Sequence, residues 1–434
     1  MKKSFVSVGR LQCHLRAGGR GPAIVLFHAA PFSSAQLLPL MQQLKNRFTL
    51  IAPDTPGYGL SDSLPQSAER IEDYIPYFRQ LFDQLNLSKF AIYGTAAGAQ
   101  MALRYALEYP DQVSHLYLDN AGHFDDKQRA DLLDNYFPDL NPTIGGSHLQ
   151  SLWQIVKGHC QYFPWYAQQA AHKLSTPMPS AEVLHQRAID YLQAGPDYAR
   201  AYRLAFLHER AEHVQQLKVP TTIFNWADSP VRPYIQQLLN HDLPPHVQIC
   251  NTPAEETKRY KKMGEHIRQS SSSTLRYTLQ LPTKYPARGQ RYCKSPVGQL
   301  HALYDFWKKE EPLLILHAQG GSAALMKQNI QQWSQPRAVI AISKPGHGDS
   351  DPIAKGKKVG DMNQLIKNAM KSLGFEEHGF FSMPPSTPPY PLKPDAEGRY
   401  LLEAWMSLRS ILASGGKEQL HIHLLEWMKA REWS

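Results

Sequence analysis

Between residues 90 and 109 the chain reads Phe90-Ala-Ile-Tyr93, then Gly94-Thr-Ala-Ala-Gly98, then a stretch from about Gln100 to Tyr109 with helical spacing. A short apolar strand that runs through a G-x-x-x-G turn straight into a helix is the context of a nucleophile elbow. Glycines on either side permit a strained turn that lifts the middle side chain above the sheet. The middle residue here is Ala96, whose methyl group can attack nothing. The same five residues therefore predict an α/β sheet architecture and argue against ordinary serine chemistry.

The flanking sequence has the pieces such an architecture needs. Ala23-Ile-Val-Leu-Phe27 is a continuous apolar run closed by His28, the pattern of a strand buried on both faces. Phe32 to Asn46 has helical spacing, and Phe48 to Ala52 is a second buried strand leading into Asp54-Thr-Pro-Gly-Tyr-Gly-Leu-Ser-Asp62. Strand, helix and strand in succession predict a parallel sheet. Ile71 to Leu85 reads as an amphipathic helix, Leu116 to Asp119 and Thr221 to Trp226 as further strands, His246 to Cys250 as the last strand, and Ala254 to Arg268 as the closing helix.

In three of these motifs the chain resembles the α/β-hydrolase superfamily. His28-Ala-Ala-Pro31 stands where the family writes His-Gly-x-Pro, Pro53 to Asp62 matches the loop that follows, and Gly94 to Gly98 matches the elbow. The resemblance covers roughly residues 5 to 265. It implies a mostly parallel sheet flanked by helices, with a helical lid at about 124–210 that contains Phe163-Pro-Trp-Tyr166.

The resemblance also assigns roles, in which a serine attacks, a histidine takes its proton, an acid orients the histidine and backbone amides hold the oxyanion. Ala96 has the nucleophile's position, and the neighbouring hydroxyls of Thr95 and Thr55 are not the ones an elbow aims. The base is expected in Asn251-Thr-Pro-Ala-Glu-Glu256, which contains no histidine; His246 precedes the last strand and His266 lies inside a helix. The acid is placed at Asp228, with Asp119 as second choice. The oxyanion-type pocket falls to the amides of Ala97 and of Ala29 or Ala30. His28 is the candidate acid or base lining that pocket, while His123 and His148 lie in or near the lid. Phe163, Trp165 and Tyr166 make either an apolar roof over a small apolar molecule or ordinary lid packing. His421-Ile-His423 has i, i+2 spacing, which points the rings to different faces and argues against a metal site.

The second half carries a weaker copy of the first. His28 answers to His317, Pro56 to Asp62 answers to Pro345 to Asp351, and Val8-Gly-Arg-Leu11 answers to Val297-Gly-Gln-Leu300, all 289 positions on (317 − 28, 345 − 56). Gly146 to Trp153 matches Gly398 to Trp405 at an offset of 252 (405 − 153), and Glu418 to Arg431 resembles Ala181 to Leu192. The shortfall falls on the elbow, its helix and the following strand, where the Pro-rich run Pro384 to Pro391 cannot build a central strand. The expected organisation is a hydrolase-like domain at 1–268, a linker at 269–290 around Ser270 to Ser273, and a truncated copy at 291–434. That copy is expected to pack on the first or on a second chain.

Composition narrows the classes. With 434 residues, 42% of them hydrophobic, the chain can bury more than one core. Its +9 charge is interleaved along the sequence, which argues against nucleic acid. Cysteines 13, 160, 250 and 293 have neither disulfide-scaffold nor zinc spacing and read as reduced thiols of a cytoplasmic protein. No secretory leader, membrane span, cofactor motif or metal motif is read. Two functions are expected: an enzyme acting on a small, largely apolar, carbonyl-containing substrate without a serine nucleophile, or an inactive pseudo-hydrolase with a binding, regulatory or assembly role.

Overall fold

The computed structural model describes residues 1–434 except 272–275, 282–284, 307–310, 335–336, 355–360, 376–378, 383–391, 413–414 and 431–434. They form two compact units. The first is Met1–Asp139 with Gln154–Pro179 and Gln193–Thr283, and the second is Leu140–Trp153 with Ser180–Leu192 and Lys284–Ser434.

The chain opens with β1 (Lys2–Val8), β2 (Leu11–Gly19), β3 (Ala23–Phe27), α1 (Leu38–Leu44), β4 (Thr49–Pro53), α2 (Ile75–Gln84), β5 (Phe90–Thr95), α3 (Ala97–Glu108) and β6 (Val113–Asp119). Helices α4 (Asp126–Asn135), α5 (Ser147–Gln161), α6 (Ala181–Ala194), α7 (Ala199–His208) and α8 (Ala211–Gln215) follow, then β7 (Thr221–Trp226), α9 (Arg232–Leu239), β8 (Val247–Thr252) and α10 (Glu256–Ser270). The eight strands make one sheet in the order β1-β2-β4-β3-β5-β6-β7-β8. β1, β2 and β4 pair antiparallel, and every pairing from β4 through β3 to β8 is parallel.

Every residue of β3 is buried because helices cover both faces of the sheet. Val25 and Phe27 belong to the core that holds Phe78 and Phe82 of α2, whereas Ile24 and Leu26 belong to the core that holds Leu40, Met41 and Leu44 of α1. Alternation along a strand makes that division, and each such side chain contributes roughly 1.5–3 kcal/mol by leaving water.

Two local departures from the sequence reading have simple causes. The helix expected at 32–46 is a 3-10 turn at Ser34–Leu37, capped by Ser33, followed by the short α1. Helix α3 begins at Ala97, three residues before the expected start, because the elbow enters it without a connecting loop. The lid region also divides: 140–153 and 180–192 group with the second unit because they pack on its C-terminal helices, as in the His185 ring contact with Tyr400.

The second unit adds β9 (Arg288–Ser295), β10 (Gly298–Asp305), β11 (Leu313–Leu316), α11 (Lys327–Trp333), β12 (Val339–Ile342), α12 (Met362–Ser372), β13 (Gly379–Ser382), α13 (Arg399–Ile411) and α14 (Lys417–Met428). Its sheet has the order β13-β11-β12-β10-β9, with β11 parallel to β12 and β13, and β10 antiparallel to β9 and β12. That is the succession of β5, β3, β4, β2 and β1 in the first unit.

The pairing departs from the sequence alignment at one place, the hairpin. β13 pairs in parallel with β11, as β5 pairs with β3. The Pro-rich run Pro384 to Pro391 lies outside the described residues. The hairpins match two residues earlier than the sequence alignment places them: Val8 pairs with Leu11 and Ser295 with Gly298, an offset of 287 (295 − 8). The loop hydrogen bonds agree, with Gln12 N donating to Asp62 Oδ2 at 2.7 Å and Gln299 N to Asp351 Oδ2 at 2.8 Å. The two extra residues therefore lie between β10 and β11, where sequence identity is too thin to locate them.

Cys13, Cys160, Cys250 and Cys293 are all buried. Among the described residues no helix is long and apolar enough to cross a membrane.

Candidate active site

Strand β5 ends in Gly94-Thr95, Ala96 turns at φ 50° and ψ −119°, and α3 starts at the next residue. A Cβ on Gly94 would lie 2.3 Å from the carbonyl oxygen of Gly98, and one on Gly98 would lie 2.4 Å from that of His28. No side chain fits either place, so both glycines are required by close backbone approach. The Ala96 amide donates to the carbonyl of Asp119 at 2.9 Å, which fixes the turn to β6. Holding a non-glycine residue in such a conformation stores on the order of 1–3 kcal/mol. The elbow geometry is complete and its apex is a methyl group.

His28 does not serve as a free acid or base. Its Nε2 accepts the amide of Thr55 at 2.9 Å, so the ring proton is on Nδ1, which donates to the Ala29 carbonyl at 2.8 Å. Burial lowers its pKa and keeps it neutral. Both nitrogens are committed to the backbone, and the ring braces the β3 and β4 loops against each other.

Of the oxyanion-type amides, that of Ala29 is taken by Gln36 Oε1 at 2.8 Å. Ala30 and Ala97 remain the candidates. Ala97 opens α3, and the first amides of a helix have no partner within it. Both alanines are buried in the core shared with Tyr58, Ala121 and Leu204.

The two acid candidates differ in setting. Asp119 is buried at the end of β6, where Oδ2 accepts Tyr93 Oη at 2.8 Å and Thr95 Oγ1 at 3.2 Å, while Oδ1 has no partner. Burial raises its pKa against the hydrogen bond from Tyr93 and the charge of Arg259. No histidine is among its hydrogen-bond partners. Asp228 sits exposed in the turn after β7, and the loop after β8 contains no histidine. In that quarter the Arg259 guanidinium lies 4.0 Å over the Trp226 ring, and Trp226 Nε1 donates to Asn120 Oδ1 at 2.8 Å.

Asp228 instead borders a cleft of about 570 Å³, with Phe163, His172, Lys173, Arg232 and Tyr234 among its walls. Ala96 and the candidate amides do not line it. Of the three lid aromatics only Phe163 does. Trp165 is buried and donates from Nε1 to the Tyr136 carbonyl at 3.0 Å, and Tyr166 donates to Asp131 Oδ2 at 2.5 Å. Of the two expectations for these aromatics, Trp165 and Tyr166 follow the packing one, and Phe163 is a wall residue of the cleft.

Helix α7 packs on α3. Tyr58 Oη donates to the Tyr198 carbonyl at 2.8 Å and accepts the Tyr202 amide at 3.0 Å. Arg200 donates to the carbonyls of Leu64 and Ala68, both at 2.9 Å, and to that of Pro65. After α7, Glu209 is buried, accepts the Gly122 amide at 2.6 Å and has its pKa pushed up to about 8 by burial. Sequence reading missed Lys173, Arg232, Tyr234 and Glu209. Only the first three had a signal, their nearness to Phe163 and to the loop after β7.

Residues 22–254 match the family described as alpha/beta hydrolase fold. Over 108 residues the chain is 36% identical to a 2-(acetamidomethylene)succinate hydrolase of Mesorhizobium japonicum, which is 25% of this chain and 38% of that protein. It is 35% identical over 106 residues to a pimeloyl-[acyl-carrier protein] methyl ester esterase of Legionella pneumophila, 24% of this chain and 41% of that one. The chain therefore spans about two fifths of the length of these relatives. Among solved structures it is similar to an epoxide hydrolase from Vigna radiata (TM-score 0.47, 17% identity, 62% of this chain and 96% of that chain). It is also similar to a bromoperoxidase from Bacillus anthracis (TM-score 0.46, 15% identity, 62% and 99%). With the family match covering more than half of its length, the chain belongs to the alpha/beta hydrolase fold family.

Proposed function

We propose that this chain is a pseudo-hydrolase: a ligand-binding member of the family in which the serine route has been dismantled. The observation that carries the reading is Ala96 at the apex of a complete elbow, with His28, the nearest histidine candidate, bonded through both nitrogens to backbone. An elbow without a nucleophile and without a base binds and does not turn over esters.

The ligand belongs in the cleft bordered by Asp228. Phe163 and Tyr234 supply an apolar wall, and Lys173 and Arg232 outnumber Asp228 in charge. That combination fits a small molecule with an apolar body and a carboxylate or ester carbonyl.

A second reading, a serine-free enzyme working on a carbonyl substrate, is favoured by one observation. Ala96 has a φ of 50° at the turn into α3, which supports the Ala97 amide as an oxyanion donor.

Internal duplication with loss of the elbow from the second copy belongs to the same reading. It is supported by the shared strand succession of the two sheets. It is supported also by His317, whose Nδ1 donates to the Ala318 carbonyl at 2.6 Å and whose Nε2 accepts the Lys344 amide at 2.8 Å, the arrangement of His28 with Ala29 and Thr55.

The test is calorimetric binding of short- and medium-chain aromatic and aliphatic carboxylates beside turnover of the matching p-nitrophenyl esters. The native chain, Ala96→Ser and Arg232→Gln are compared. Binding that weakens in Arg232→Gln, with no turnover in the native chain or in Ala96→Ser, supports the reading. Turnover by the native chain that survives dialysis and scales with its concentration overturns it in favour of the enzyme.

A further inference from the structure

The helical part of the second unit is drawn from two places in the chain, the start of α5 with α6, and α13 with α14. Its contacts run in exchanged pairs. Gly146, left-handed at φ 79° before α5, lies under the Trp405 ring, which an added Cβ would approach to 3.0 Å; Gly398, left-handed at φ 73° before α13, lies under Trp153, approached to 2.4 Å. His148 meets Trp405 edge to face at 4.8 Å, and Tyr400 meets Trp153 in the same way at 5.8 Å. His185 Nε2 donates to the Met428 carbonyl at 2.9 Å, and His421 Nε2 donates to the Leu192 carbonyl at 3.0 Å.

The partners exchange under constant offsets. Gly146, His148 and Trp153 lie 252 positions before Gly398, Tyr400 and Trp405, and His185 and Leu192 lie 236 before His421 and Met428 (398 − 146, 421 − 185). If residue i touches residue j and the equivalent of j touches the equivalent of i, the contact is isologous, the property a two-fold axis confers on a homodimer interface. Here both halves belong to one chain.

The exchange fails at one informative place. His185 Nδ1 accepts from Tyr400 Oη at 2.8 Å. At the counterpart, where Tyr400 is replaced by His148, His421 Nδ1 and His148 Nε2 are both buried without a hydrogen-bond partner. His148 Nδ1 accepts the Thr143 amide at 3.2 Å, which puts its proton on Nε2, while His421 Nδ1 is an acceptor; the tautomers are complementary, yet among the described residues no hydrogen bond joins them as one joins Tyr400 to His185.

We propose that this helical layer is a homodimer interface folded into a single chain. The α5–α6 surface recognises a second copy of itself, and α13–α14 is that copy, retained to seat the first copy's lid helices and not for chemistry. The proposal rests on the duplication reading above. It follows that the full chain is monomeric, because its self-complementary surface is already occupied.

Three full-length variants and one mass measurement test this. His148→Tyr installs in the first copy the residue of the second; its hydroxyl donates to His421 Nδ1 in place of the lost acceptor for the Thr143 amide, so Tm is expected to stay within roughly 2 °C of the native chain or to rise. Tyr400→Phe removes only the hydroxyl that His185 uses and lowers Tm by roughly 2–4 °C. A fall in both variants means the exchanged contacts are not equivalent and overturns the duplication reading together with the proposal. Light scattering at tens of micromolar is expected to give the mass of one chain. A dimer that His185→Ala dissociates means the surface seats another molecule, which overturns the proposal and leaves the duplication reading standing.

Discussion

The amide of Thr55 donates to Nε2 of His28 at 2.9 Å, and that single bond decides what the histidine can do. It places the ring proton on Nδ1 and leaves no lone pair facing a substrate. His28→Ala removes a partner from the Thr55 amide and from the Ala29 carbonyl, each buried, and opens a cavity. The expected loss is about 2–5 kcal/mol in urea denaturation, with no specific effect on ligand affinity in the protein that remains folded. Unchanged stability with abolished binding would show that the ring acts on ligand.

The elbow has opposite sensitivities at neighbouring positions. Ala96→Gly relieves a residue held at φ 50° and is expected to stabilise by about 1 kcal/mol. Gly98→Ala forces a methyl group to 2.4 Å from the His28 carbonyl and 2.5 Å from that of Phe27, and is expected to destabilise by more than about 3 kcal/mol. Chemical denaturation of both variants checks the pair, and equal effects would contradict the geometry.

Glu209 gives the first unit a defined pH dependence. Its pKa is pushed up to about 8 by burial, with the Gly122 amide and the Arg129 charge opposing. Between about pH 4.5 and 8 the unfolded chain ionises this group while the folded chain keeps it protonated, so stability falls as pH rises through that window. The penalty is complete above about pH 8 and absent below about pH 4.5, and it amounts to no more than about 5 kcal/mol. Glu209→Gln keeps an acceptor for Gly122 and removes the titration. The variant should match the native chain at pH 4.5 and exceed it at about pH 8.5 in denaturant midpoint.

Arg200 tethers α7 through three carbonyls, those of Leu64, Pro65 and Ala68. Arg200→Met keeps the stem and deletes the donors, at a cost of roughly 1–3 kcal/mol. Hydrogen exchange of α7 amides is expected to quicken on the seconds-to-hours scale while β3 and β5 stay protected. Uniform loss of protection across the sheet would mean that α7 is part of the global unfolding unit.

The sequence by itself determined the α/β character and an elbow with alanine at its apex. Gly94, Ala96 and Gly98 are contiguous, and apolar runs such as Ala23 to Phe27 announce strands buried on both faces. It determined also that the segment Asn251 to Glu256 after the last strand of the first unit holds no histidine, because an absent residue type needs no fold to be seen. Only the tertiary structure decided what His28, Trp165 and Tyr166 do, since their partners Thr55, Tyr136 and Asp131 lie 27, 29 and 35 positions away. It decided the register of the second hairpin, which rests on hydrogen bonds from Gln299 to Asp351 and not on residue identity. It decided, too, that 140–153 and 180–192 group with the C-terminal helices. Periodicity tells which face of a helix is apolar; which other apolar face covers it is settled only when the chain has folded.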